Sequence, residues 1–116
     1  GKPVLVDFWQ AGCQSCRTMD GIIDELANEF ADSAHVVKVD IRKAPDATAA
    51  FKVQSTPTFV ILAKSQKQPS KKARQRAAKQ GAPAPKAFSP RWRSSGLVRK
   101  DVLAAALVSN GAAPLE

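Results

Sequence analysis

The N-terminal part of the chain carries two apolar patterns in succession. Five of the six residues from Val4 to Trp9 are apolar, which predicts a buried strand in which Asp7 is the exception. A small turn at residues 11–12 follows. A helix is then predicted over about residues 13–31, because apolar side chains recur three and four positions apart. These apolar positions are Met19, Ile22, Ile23, Leu26, Ala27 and Phe30.

Two more strands and a short helix are predicted next. Residues 35–41 alternate apolar and polar side chains toward their end, and residues 58–62 are apolar and β-branched, so both are predicted strands. Between them, Pro45 suits the first turn of a short helix over residues 45–51. A strand, a helix and a strand of these lengths favour a right-handed unit with parallel strands.

The composition changes between about residues 64 and 90, where Gln, Lys, Ser, Ala and Pro dominate. We interpret this stretch as a basic, flexible insertion in a single domain that covers residues 1–116. Beyond it, residues 91–94 alternate like an edge strand, and residues 100–109 form a final predicted helix. That helix is expected to bury Val102, Leu103, Ala106 and Leu107.

The charge of the chain is unevenly placed. Its 116 residues have a formal net charge of +8, with 44% hydrophobic and 24% charged residues, which is ordinary for a soluble globular domain. Residues 1–50 contain five basic and eight acidic residues, a balance of −3, whereas the other 66 contain 13 basic and two acidic ones, a balance of +11. No apolar run is long enough to cross a membrane. The basic stretch is either a solvated loop or an arm that makes weak, salt-dependent contacts with nucleic acid or another acidic surface.

The two cysteines, Cys13 and Cys16, stand where the first predicted strand has ended and the helix begins. Unpaired N–H groups and partial positive charge favour a thiolate there, and in such motifs the thiol pKa falls from about 8.5 toward roughly 3.5–7.5. Cys13 could then attack a foreign disulfide, and the more covered Cys16 could resolve the mixed disulfide. The alternatives are two buried apolar cysteines, or half of a zinc site that His35, the only histidine, leaves incomplete.

The order of these elements and motifs resembles the thioredoxin family. Five short motifs fall in the family's order and, up to the insertion, at its spacing. They are Lys2-Pro3-Val4-Leu5-Val6-Asp7-Phe8-Trp9, Cys13-Gln14-Ser15-Cys16, Val37-Lys38-Val39-Asp40, Ser55-Thr56-Pro57-Thr58, and Gly96 before the last helix. The resemblance covers residues 2–63 and 91–109. It implies an α/β thioredoxin-like fold, with a central mixed sheet of about four strands flanked by helices.

The resemblance also implies roles for single residues. The catalytic group would be Cys13 as the attacking thiolate, Cys16 as the resolving thiol, Asp7 as the buried acid below the disulfide and Lys38 as the partner of that acid. Substrate would be bound by Trp9, Gly12, Thr56 and Pro57, the last as a cis-proline whose loop faces the disulfide. For Trp9, plain core packing is an equal alternative.

The position of Asp7 supports its implied role. A carboxyl group inside an apolar strand is costly to bury unless it is paired or has a function. Burial should raise the pKa of Asp7 and let it accept a proton from Cys16, while Lys38 should lower that pKa. The alternative is an aspartate that local hydrogen bonds satisfy.

Three departures from the family pattern stand out. Gly12 stands where the family usually carries Trp, which removes a flat partner-binding side chain and loosens the loop. Gln14-Ser15 stands where Gly-Pro is usual, so the reduction potential of the family does not carry over. The usual opening strand and helix are missing, which indicates a truncated or reduced version of the fold. The exposed flank of the sheet would then need cover, for example from a second copy in a homodimer.

The sequence therefore predicts a thiol–disulfide oxidoreductase that exchanges disulfides with protein substrates, uses a reductase or oxidant as partner, and needs no cofactor or metal. The alternative is a binding module of the same fold that docks through its basic arm at residues 64–90. A third and weaker hypothesis is a dimeric carrier of a metal cluster, held by Cys13 and Cys16 of two chains. The expected compartment is the cytoplasm, or the periplasm if a leader was removed.

Overall fold

The computed structural model describes residues 2–64 and 88–115. In that part, the elements in chain order are strand β1 (Val4–Trp9), helix α1 (Gln14–Glu29), strand β2 (His35–Asp40), helix α2 (Pro45–Ala50), strands β3 (Thr58–Ala63) and β4 (Ser89–Ser95), and helix α3 (Lys100–Ser109). Each predicted helix and strand is present, with ends that differ by a few residues. Most of the predicted insertion, residues 65–87, lies outside the described residues.

The strands form one mixed sheet in the order β2-β1-β3-β4. β1 and β2 are parallel, because α1 connects them as a crossover, and the pairs β1–β3 and β3–β4 are antiparallel. Asp7 on β1 therefore has Lys38 of β2 as its neighbour on one side and Phe59 of β3 on the other. This topology confirms the predicted α/β fold with a central mixed sheet.

The sheet has a core on each side, because alternate residues of each strand point to opposite faces. The two cores are unequal in size. Helices α1 and α3 cover the first face, which we call the closed face. Its buried cluster is Leu5, Met19, Ile23, Leu26, Phe30, Ala34, Phe59, Ile61, Leu103, Ala106, Leu107 and Ala112. The second face, which we call the open face, buries Val6, Phe8 and Val60 and carries half-buried apolar neighbours from α2 and the loop after it.

Two details of the predicted helices are corrected by the structure. α1 covers residues 14–29 rather than 13–31, because the extended backbone of Cys13 caps its start and Phe30 is its C-cap. In α3, Val102 was expected in the core but is 42% exposed. The helix buries the stripe formed by Leu103, Ala106 and Leu107, and Val102 sits at the edge of that stripe.

The cysteines lie at one end of the sheet, and the described residues that flank the predicted insertion lie at the other end. Because β1 and β3 are antiparallel, Phe8 near the end of β1 is opposite Thr58 at the start of β3. Ala63, at the other end of β3, pairs with Ser89 of β4. The chain thus leaves and re-enters the sheet at the end away from Cys13.

Candidate active site

A disulfide joins Cys13 and Cys16 across the first turn of α1, with their Cα atoms 5.2 Å apart. The turn before it places Gly12 at a φ of +83°, in the left-handed region that glycine adopts without a Cβ penalty. Cys13 is half-buried, whereas Cys16 is only 5% exposed. The backbone N–H of Cys16 donates to Sγ of Cys13 at 3.1 Å, so this sulfur caps the helix. One sulfur can therefore meet a partner while the other is covered.

A second loop, at the start of β3, lies at the same end of the sheet. The Thr56-Pro57 peptide bond is cis, and Pro57 is buried. The carbonyl of Pro57 accepts a hydrogen bond from the N–H of Gly96 at 2.8 Å, which ties the loop to the turn after β4. The cis-proline that the resemblance implied is present at this position.

Gln10 connects the two loops. Its Nε2 donates to Oγ1 of Thr56 at 3.0 Å, across a separation of 46 residues. Gln10 directly follows β1 and precedes the cysteine turn, so the bond links the redox loop to the proline loop. The sequence interpretation missed Gln10. The signal that could have found it is a polar residue at the sheet end where a strand runs into Cys-x-x-Cys.

A cavity of about 340 Å³ opens beside the disulfide. Its lining includes Trp9, Gly12, Cys13, Cys16, Asp20 and Lys38. Trp9 is half-buried and forms part of this wall, so it combines packing with exposure to the site. The structure thus brings most of the residues singled out from the sequence around one space. Thr56 and Pro57 are not part of this lining, and Thr56 is connected to it through Gln10.

Asp7 is buried on the closed face of the sheet, and it is not part of the cavity lining. It is 2% exposed, and in the described part of the chain its Oδ1 accepts no hydrogen bond. Burial raises the pKa of Asp7 to about 6, with the positive charge of Lys38 acting in the lowering direction and the negative charge of Asp20 in the raising direction. At least one oxygen of this carboxyl group is thus not satisfied by local hydrogen bonds.

Lys38 is the neighbour of Asp7 in the sheet, but its ammonium group pairs with helix α1. Its Nζ lies 3.0 Å from Oδ1 of Asp24 and 3.8 Å from Oδ1 of Asp20. Burial acts to lower the pKa of Lys38, but the hydrogen bond that its Nζ donates to Asp24 and the surrounding carboxylates outweigh burial, so the pKa is raised.

A metal site of the kind that the zinc hypothesis requires depends on the type and position of the side chains present. Within residues 2–64 and 88–115, no group of three or more His, Cys, Asp and Glu side chains is arranged to hold a metal ion. His35 is exposed at the start of β2. None of the helices in this part of the chain has the length and apolar character that a membrane span requires.

Comparison with known proteins gives a consistent family. The thioredoxin family model matches residues 1–81. The chain is 42% identical over 61 residues to a thioredoxin of Alicyclobacillus acidocaldarius subsp. acidocaldarius, an alignment that covers 53% of this chain and 58% of that protein. It is 37% identical over 65 residues to thioredoxin 1 of Synechococcus elongatus, covering 56% and 61% of the two chains.

Solved structures agree on the fold. The germline-specific thioredoxin Deadhead of Drosophila melanogaster superposes with a TM-score of 0.66 at 23% identity, over 93% of this chain and 80% of that one. A structure described as that of a malarial protein gives a TM-score of 0.68 at 19% identity, over 96% and 99% of the two chains. The chain belongs to the thioredoxin family. Its matched region spans 58% and 61% of the length of the two thioredoxins named above.

Proposed function

We propose that this protein is a thiol–disulfide oxidoreductase that exchanges disulfides with protein substrates. The observation that carries the proposal is the disulfide at the start of α1, with Cys13 half-buried and Cys16 covered, in a chain of the thioredoxin family. The start of a helix favours a thiolate, because unpaired N–H groups point toward the sulfur. In the reduced protein the N–H of Cys16 remains available to Sγ of Cys13, so Cys13 is the better nucleophile.

The reaction transfers two electrons in two sulfur exchanges. The Cys13 thiolate attacks one sulfur of a substrate disulfide and forms a mixed disulfide, and the other substrate sulfur leaves as a thiolate. Cys16, as a thiolate, then attacks Sγ of Cys13. The bond between Cys13 and the substrate breaks, the second substrate thiolate leaves, and the Cys13–Cys16 disulfide forms. The substrate is reduced and the protein is oxidised, and a dithiol partner such as a reductase returns the pair to its reduced form.

Reduction of insulin in the presence of dithiothreitol tests the proposal. The protein is expected to accelerate the reduction, and Cys13→Ser is expected to remove the acceleration completely. Cys16→Ser is the matched variant, because it keeps the attacking sulfur but should trap the mixed disulfide. In the reduced protein Cys13 should react with iodoacetamide already below about pH 7.5. A Cys13→Ser protein that reduces insulin as well as the parent would refute the proposal.

The remaining site residues have proposed roles that follow from their places. Asp7 would accept the proton of the Cys16 thiol, because its raised pKa makes it a stronger base than an ordinary carboxylate. Trp9 and Gly12 would contact the substrate beside the disulfide. Thr56 and Pro57 would hold substrate backbone at the second loop. The supporting observations are the shared cavity wall for the first pair and the Gln10–Thr56 bond for the second.

The direction of electron flow follows from the reduction potential of the cysteine pair, which equilibration with glutathione or dithiothreitol measures. We propose that the protein acts as a reductant in the cytoplasm, for which a reduction potential of about −270 mV is expected. A value near about −120 mV would instead fit an oxidant of the periplasm and would contradict this part of the proposal.

We also propose that a second copy covers the outer edge of β2. Val37 on this strand is 43% exposed. The N–H groups of His35 and Ile41 point toward β1, where they donate to Pro3 and Trp9, so the alternate residues Lys38 and Asp40 turn their backbone groups outward. An antiparallel copy centred on Val39 would set Lys38 against Asp40 of the second copy and Val37 against its Ile41. The first pair joins opposite charges and the second joins two β-branched apolar side chains, and both kinds of cross-strand pair stabilise a sheet.

Sedimentation velocity over a range of concentrations tests this pairing. Asp40→Lys should weaken a dimer by placing like charges opposite each other. Asp46→Lys, an equal charge change at an exposed position of α2, is the control that should leave the dimer intact. A monomeric parent protein would contradict the proposal.

The binding-module alternative receives no support. It rests on the basic stretch at residues 64–90, of which 65–87 lie outside the described residues. The family model and the relatives named above are those of thioredoxins.

A further inference from the structure

The cation expected beside the buried acid is held by two other carboxylates. Asp7 and Lys38 occupy the same register position on adjacent strands, so their side chains emerge on the same face. The ammonium of Lys38 nevertheless lies against α1, 3.0 Å from Asp24 and 3.8 Å from Asp20. Oδ1 of Asp7 accepts no hydrogen bond in the described part of the chain. The lysine thus has a choice of partners, and in this structure it pairs with the helix.

The placement of the two helix carboxylates connects them to the redox site. Asp20 follows Cys16 by one helical turn, and Asp24 follows Asp20 by another, so the three residues lie along one side of α1. Cys16, Asp20 and Lys38 all line the cavity beside the disulfide. A change at either carboxylate can therefore alter the charge around Asp7 without altering the sulfurs.

We propose that Asp20 and Asp24 are positioning residues that hold the Lys38 ammonium on α1 and away from Asp7, and thereby keep Asp7 basic enough to take the proton of Cys16. This inference rests on the proposed oxidoreductase function. It assigns a task to two residues of α1 that the motif Cys-x-x-Cys does not include. Lys38 then acts as an adjustable partner of Asp7 rather than a fixed one.

Base strength explains why the position of Lys38 matters. A thiol ordinarily has a pKa of about 8.5, and an opposite charge within a few ångströms lowers the pKa of a carboxyl group by about 1–3 units. A direct contact with Lys38 would therefore lower the pKa of Asp7 further below that of the Cys16 thiol, and proton transfer from the thiol would become less favourable. The charged groups that act on Asp7 are Lys38 from β2 and Asp20 from α1, while its β3 neighbour Phe59 is uncharged.

The step concerned is the resolution of the mixed disulfide. The proton of the Cys16 thiol moves to the carboxylate of Asp7, and the resulting thiolate attacks Sγ of Cys13. The bond from Cys13 to the substrate sulfur breaks, and that sulfur leaves with its electron pair as a thiolate. No other oxidant or reductant takes part.

The proposal can be tested on the oxidised protein by following the carboxyl carbons of aspartate by NMR as a function of pH, with Asp7→Asn to assign the Asp7 signal. Asp24→Asn should lower the titration midpoint of Asp7 by about one pH unit, because Lys38 is released toward it. Asp20→Asn should lower it less, and Lys38→Met should raise it. Glu25→Gln removes a charge from the same helix, where Glu25 pairs with Lys100 at 3.0 Å, and should leave the midpoint unchanged.

The pH dependence of resolution provides the second readout. A small thiol placed on Cys13 as a mixed disulfide should be released by Cys16 with a pH profile that shifts in the same order across the variants. An Asp7 midpoint in Asp24→Asn that matches the Glu25→Gln control would overturn the positioning role, even if insulin is reduced normally. Asp20→Asn does not decide this point, because the charge of Asp20 itself raises the pKa of Asp7. Shifted midpoints in a protein that fails to reduce insulin would instead retain the positioning geometry and remove the proposed function.

Discussion

The two faces of the sheet differ in how completely they are covered. In the described part of the chain, the closed face, under α1 and α3, buries a cluster of twelve apolar residues, whereas the open face, with α2 on it, buries a cluster of three. The difference follows from the helices, because α1 has 16 residues and α2 has six. Most of the apolar surface removed from water therefore lies on the side that also carries the cysteines.

The buried polar residues of the two faces also differ. Thr58 on the open face is fully buried, and its hydroxyl donates to the carbonyl of Ser55 at 2.7 Å and contacts Oγ of Ser95 at 3.1 Å. Asp7 on the closed face is buried, and its Oδ1 accepts no hydrogen bond from residues 2–64 or 88–115. The face with the larger apolar core thus contains the buried polar group that costs more folding free energy. This is the arrangement expected if Asp7 is kept for chemistry and the surrounding core offsets its cost.

The largest expected effect compares one leucine from each face. Leu103→Ala on the closed face should lower the free energy of unfolding by about 3–4 kcal/mol, because it leaves a cavity in a fully buried cluster. Leu62→Ala on the open face should cost about 1–2 kcal/mol, since Leu62 is only partly buried. Urea unfolding followed by circular dichroism measures both. Equal losses would show that the open face is as well covered in solution as the closed one.

The next effect concerns the pH dependence that Asp7 imposes. Its pKa rises from 3.8 to about 6 on folding, so the folded state binds more protons than the unfolded state between these values. Stability attributable to Asp7 is therefore lost as the pH rises through this window. The free energy of unfolding of Asp7→Asn, measured relative to the parent, should therefore be about 3 kcal/mol higher at pH 7.5 than at pH 3.5. Urea unfolding of the oxidised proteins at the two pH values gives this difference.

A satisfied polar group should behave differently, and Thr58→Val provides the comparison. Loss of its hydroxyl should cost about 1–2 kcal/mol, because the carbonyl of Ser55 loses its donor in a buried place. The cost should be equal at both pH values, since no group titrates. A marked pH dependence in Thr58→Val would mean that the effect in Asp7→Asn does not come from the carboxyl group.

The smallest effect strengthens the helix that covers the closed face. Gly21 lies inside α1, and a Cβ built on it meets no atom within 4 Å. Gly21→Ala should therefore stabilise the protein by about 0.5–1 kcal/mol, because alanine loses less conformational freedom in a helix. Thermal unfolding should show a higher midpoint. A lower midpoint would indicate that α1 needs the freedom of glycine at this turn.

Local patterns in the sequence determined the elements and the chemical centre of this protein. Alternation and helical spacing gave the strands and helices, and the place of Cys13 and Cys16 between a strand and a helix gave the redox pair. These features depend on neighbours along the chain, and so they can be read without coordinates. The family motifs added the cis-proline and the buried acid.

Contacts between distant elements were decided by the tertiary structure alone. Lys38 pairs with α1 although it stands beside Asp7 in the sheet, and Gln10 reaches Thr56 across 46 residues. Val102 is exposed because the rotation of α3 against the sheet selects its buried stripe. Such outcomes depend on how far a side chain extends and on which face of a helix meets the sheet. Neighbouring residues in the sequence do not specify either quantity.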